Sequence, residues 1–125
     1  MSRSPLVLAG VAALMGAAGV ALAAAGVHEN GGELAERAAL FLLLHAAAAL
    51  AIAAHARIAT ASARGLVIVG FVMEAGAILF SAELATHVFL GVRIFPLAAP
   101  IGGTAMMLSW AALAIVFAVA SRREV

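Results

Sequence analysis

Four long apolar stretches, separated by short polar breaks, make up nearly the whole chain. The first runs from about residue 5 to 27 and ends at His28-Glu29-Asn30-Gly31-Gly32, where Asn-Gly-Gly is a turn signal. The second covers about 36–55 and gives way to the polar link Ala56-Arg57-Ile58-Ala59-Thr60-Ala61-Ser62-Ala63-Arg64. The third covers about 65–90. After Gly91-Val92-Arg93-Ile94-Phe95-Pro96, Pro100 opens a fourth at about 100–120, since proline costs a helix nothing in its first turn. Each stretch suits a hydrocarbon core of about 30 Å crossed at 1.5 Å per residue. Barrel strands would be about 10 residues long and would alternate polar with apolar positions. The pattern therefore predicts an all-α fold, a four-helix transmembrane bundle in one integral membrane domain over residues 1–125.

Composition supports the same reading. The chain is 66% hydrophobic and 10% charged, leaving too little polar surface to cover a core in water. Cysteine, lysine and tyrosine are absent, which excludes disulfides, thiolate metal sites, Cys nucleophiles and Schiff-base chemistry. A net charge of +1 gives no basis for nucleic-acid binding.

The arginines carry topological information. Arg3, Arg57, Arg64, Arg122 and Arg123 share one side; Arg37 and Arg93 share the other with Glu29, Glu33 and Glu36. The positive-inside rule places both termini in the cytoplasm. The Ala- and Arg-rich, Lys-free composition favours a bacterial inner membrane. The first stretch begins Met-Ser-Arg-Ser but is longer than a signal-peptide core, and its removal would leave three spans with reversed charge logic. It is read as a span.

Ala12, Gly16, Gly19, Ala23 and Gly26 form a seam of small residues along the first helix, and Gly102-Gly103 with Ala105 offer another at the start of the fourth. Small residues let helix backbones approach closely within lipid. Packing within the bundle and packing against another subunit both fit such seams.

Ionisable residues inside spans are costly and need explanation. Counted from Thr60 in the link, His45 lies 15 positions back and Glu74 14 forward, so antiparallel neighbours would hold them at one depth as an intramembrane polar pair. Two other arrangements fit Glu74: a neutral acid bonded to a backbone carbonyl or Ser81, or a side chain aimed at a partner subunit. By the same counting Arg37 and Glu83 are both 23 positions from Thr60, which suggests an interfacial ion pair. Glu83 lies nine positions after Glu74, on the opposite helix face, so the two acids form no dyad.

His28, Glu29, Glu33 and His87 gather at the outer ends as a polar cluster, with Glu36 nearby. Their spacing lacks the His-Glu-x-x-His pattern of zinc proteases, and solvated helix ends account for them without a metal. Bis-histidine haem ligation needs two imidazoles at one depth, and only His45 is central. No cofactor is expected. Trp110, the one tryptophan, sits mid-span in the fourth helix, where its N–H can reach a polar group. No nucleophile triad or phosphate-binding loop occurs, so no enzymatic activity is expected.

Several segments resemble the small four-helix membrane proteins of the domain of unknown function 423 family, which has a relative in animal mitochondria. They are Ala25-Gly-Val-His28, Leu44-His-Ala-Ala-Ala-Ala-Leu50, Gly76-Ala-Ile-Leu-Phe-Ser81 and Pro100-Ile-Gly-Gly103, followed by Trp110. The resemblance covers nearly the whole chain and implies fold and topology but no activity. His28 and His45 match its pattern, whereas Glu74 and Glu83 depart from segments that are normally uncharged. The expected role is an accessory subunit of a larger, bioenergetic membrane complex. The alternative is a small proton-coupled transporter or channel with Glu74 as its protonatable group. Expected partners are the lipid bilayer and either further copies of the chain or a larger complex.

Overall fold

The computed structural model describes residues 3–29 and 32–123. It contains four helices: α1, Ser4–Gly26; α2, Gly32–Ile58; α3, Ala63–Leu90; and α4, Ala98–Arg123. No strand occurs among the described residues. All four are long and apolar enough to cross a membrane. The expected Asn30-Gly31 turn lies outside the described residues. α2 begins about one turn earlier than its apolar pattern suggests. Gly32 is drawn in by its N–H, which donates to the Glu29 carbonyl at 3.2 Å, and an added Cβ on Gly32 would meet the Gly26 carbonyl at 2.8 Å. α3 ends at Gly91, whose φ of 65° is the left-handed cap that glycine supplies without steric cost. Pro100 sits in the first turn of α4.

The helices are antiparallel in chain order, with α3 central. It packs against α2, α4 and, more lightly, α1, whereas α4 has no close backbone approach to α1 or α2. Two core clusters fill the interior. Leu8, Ile52, Leu66, Met73 and Leu113 form the one nearer the α2–α3 link, and Met15, Leu42, Ala77 and Met106 form the other. Large apolar side chains also cover the outside: Leu14 is 73% exposed and Leu108 63%. An all-round apolar exterior of this kind needs lipid rather than water as its solvent.

The small-residue seams meet different fates. At Gly76 and Gly102, α3 and α4 touch backbone to backbone. A Cβ on Gly102 would lie 2.6 Å from the Gly76 carbonyl and 2.7 Å from the Phe80 nitrogen. On α1, Gly19 receives the Leu43 side chain and Gly26 receives Ala35, so these two pack within the bundle. Gly16, expected in the same seam, has nothing within 4 Å of its would-be side chain.

Candidate functional site

The register places the polar residues at mid-bundle. Ser81 Oγ donates to the Ala38 carbonyl at 2.9 Å, and a Cβ on Gly70 would lie 3.3 Å from Ile52. Antiparallel counting between these contacts sets Glu74 level with His45–Ala48. His45 and Glu74 are each 2% exposed. The depth expected from the sequence is therefore observed, but the pair itself is not.

His45 spends both ring nitrogens elsewhere. Its Nδ1 lies 2.7 Å from the Phe41 carbonyl, one turn back on α2. Its Nε2 lies 3.2 Å from Trp110 Nε1 on α4. A carbonyl only accepts and an indole N–H only donates, so these partners require the tautomer with its proton on Nδ1 and a lone pair on Nε2. The Trp110 side chain reaches back toward the N-terminal end of α4, as helical side chains do. It meets the imidazole edge-on, with ring centroids 6.1 Å apart. Phe41 stacks on the other side at 6.0 Å. Trp110 is 46% exposed, so it is not the enclosed packing residue the sequence suggests, but its N–H does find a polar partner, in His45.

Among the described residues Glu74 has no hydrogen-bond partner. Both carboxyl oxygens are buried and lack a hydrogen bond. Ser81, the alternative partner, is committed to Ala38. Nor does the side chain project from the molecule, since it is enclosed by this one chain. It lies against the Ala12 backbone of α1, and Ala12 itself is fully buried. The small side chain at position 12 leaves room for the carboxyl where α1 and α3 approach. This α1–α3 relation is the part of the site the sequence reading missed; an alanine at the depth of the central acid was its one available signal.

The Arg37–Glu83 pair is corrected. Arg37 donates to Glu33 at 2.9 Å, one turn back on the exposed face of α2. Glu83 is buried, and its Oε2 accepts the Ile94 N–H at 2.7 Å. Equal depth did not bring them together because depth counting carries no information about rotation around the helix. Glu83 is in fact the fastener of the α3–α4 connector. At the outer end, His28, Glu29, Glu33 and His87 are all exposed. Among the described residues no three His, Asp or Glu side chains come together in a way that would hold a metal.

Four apolar spanning helices around a buried polar centre define a small multi-pass membrane protein. The family model described as Protein of unknown function (DUF423) matches residues 15–103, more than half the chain, and the protein belongs to that family. No curated protein and no solved structure matches it. The matched region includes His45, Glu74 and the Gly76–Gly102 crossing.

Proposed function

We propose that the protein serves a non-enzymatic, proton-coupled role in its membrane, with Glu74 as the group that takes up and releases the proton. The supporting observation is the Glu74 carboxyl, buried at mid-bundle with both oxygens unpartnered. Acids inside membrane spans are costly, and the proteins that keep them commonly use them in proton or ion pathways. A purely structural acid would be expected to have a hydrogen-bond partner, as Glu83 has in Ile94. In this reading the protein resides in a bacterial inner membrane with both termini cytoplasmic, the orientation the arginines favour. Purified protein in vesicles carrying an imposed pH gradient tests it. The wild type should dissipate the gradient faster than Glu74→Gln, and equal rates for wild type, variant and empty vesicles would sink the reading.

A second reading, an accessory subunit of a larger membrane complex, draws on a different observation. Gly10, Ala13, Ala17, Ala21 and Ala24 are exposed along one side of α1. A side chain on Gly10 would meet nothing within 4 Å. Small residues facing outward suit close approach by another helix. Native purification should then recover further subunits, and Gly10→Leu with Ala17→Leu should release them. Recovery of this chain by itself under mild extraction would count against it.

A further inference from the structure

At the end of the bundle where α2 turns into α3, a cavity of about 690 Å³ opens between the starts of α1 and α3 and the end of α2. Ser4, Arg57, Thr60 and Arg64 line its polar part, and Val67 and Ile68 form an apolar wall leading toward the spans. Its volume falls within the usual range for sites that hold small molecules.

Charge in this crevice has one sign. α1 and α3 both begin here, and neither has an acidic residue in its first turn. Neither N-cap residue, Arg3 for α1 nor Ser62 for α3, makes a side-chain cap bond. Helix N-termini carry partial positive charge and favour anions. Here they meet cations instead: Arg3 sits at the N-cap of α1, and Arg64 lies in the first turn of α3. Arg57 adds a third positive charge. Among the described residues neither Arg57 nor Arg64 has a carboxylate partner, and the ion pair formed there joins Arg37 to Glu33 at the opposite end. The crevice on the other side of the link contrasts with this one. It contains His55 and Arg123, but Arg123 lies in the last turn of α4, where a cation complements the helix dipole.

We propose that the Arg57–Arg64 crevice seats the phosphate headgroup of an anionic phospholipid. The two guanidinium groups and the two helix starts face the phosphate, and Val67 and Ile68 border the first carbons of the lipid chains. A membrane lipid fits better than a free anion because the site is amphipathic: its cationic part lies at the bundle end and its apolar wall continues into the hydrocarbon zone. Guanidinium binds phosphate through two parallel hydrogen bonds.

Native mass spectrometry of the purified protein, titrated with phosphatidylglycerol and separately with phosphatidylcholine, tests the assignment. Phosphatidylglycerol should bind in preference. Arg57→Gln combined with Arg64→Gln should weaken that binding on the order of 30-fold, from the usual contribution of each arginine near an anionic surface. The charge-matched variant Arg122→Gln with Arg123→Gln should bind nearly as the wild type does. Equal loss in both variants would show diffuse attraction and overturn the site. Competition by inorganic phosphate at equal concentration would overturn it in favour of a soluble anion. Should the Arg57/Arg64 variant not fold, headgroup-labelled photoreactive phosphatidylglycerol can be applied to the wild type. Crosslinks at the starts of α1 and α3 support the proposal, and crosslinks confined to other segments overturn it.

Discussion

Trp110 on α4 donates its indole N–H to His45 on α2 across 3.2 Å, and this bond joins two helices whose backbones do not otherwise approach. α4 is therefore held by its packing on α3 and by side-chain contacts to α2, among them this bridge and the edge-on meeting of His55 with Phe117 at 5.2 Å. Trp110→Phe keeps the ring and removes the donor, leaving the buried Nε2 of His45 unsatisfied. The expected cost is about 1–3 kcal/mol, measurable by unfolding in mixed micelles. Because Trp110 is the one tryptophan, its fluorescence reports on the same contact. His45→Phe should shift the emission to shorter wavelength, and an unchanged spectrum would contradict the bridge.

The Gly76–Gly102 crossing predicts sharp intolerance. A methyl group at position 76 would meet the Gly102 carbonyl and the Ala105 Cβ, each at 2.9 Å, and backbone atoms cannot swing aside. Gly102→Ala and Gly76→Ala should each destabilise by roughly 1–3 kcal/mol, as overpacking does. Gly10→Ala, in open space, should be neutral or stabilising by about 0.5–1 kcal/mol through helix propensity. Thermal unfolding of the three variants side by side checks the contrast, and similar melting temperatures would refute it.

Glu74 should limit stability. Replacing a buried, unpartnered polar group by an apolar one of similar length removes a desolvation cost of about 1–3 kcal/mol. Glu74→Met is therefore expected to melt higher than the wild type while losing any proton-coupled activity. A lower melting temperature would mean that the carboxyl has a stabilising partner.

Arg37 and Glu83 should respond independently. Arg37→Ala removes an exposed pair with Glu33 and should cost no more than about 1 kcal/mol. Glu83→Ala strips the acceptor from the Ile94 N–H and should cost about 1.5–3 kcal/mol, the range for a hydrogen bond to a charged group. Exchanging the two residues should disrupt the protein, since neither charge faces the other. A double-mutant cycle with appreciable coupling energy would show that they interact after all.

The spans were readable in advance because lipid imposes one dominant rule, a long apolar run per crossing, and this chain obeys it four times. Depth was readable too, since antiparallel helices joined by a short link keep count of residues. What escaped was azimuth. His45 and Glu74 are level yet turned to different neighbours, one toward Trp110 and the other toward Ala12. The apolar residues surround each helix almost uniformly, so no polar stripe marked which side faced inward. For the same reason Arg37 pairs within its own helix and Glu83 reaches the connector.

The family match stops at residue 103, directly beside the glycine at which α4 makes its closest approach to α3. Past that point α4 buries only Met106, Ser109 and Leu113, and its apolar stretch is the least enclosed of the four. Apart from that narrow stripe and the contacts of Trp110 and Phe117 with α2, many apolar side chains would serve equally well on this helix. Exchanging one apolar residue for another on its remaining faces should therefore cost the bundle little, because those faces meet lipid rather than protein.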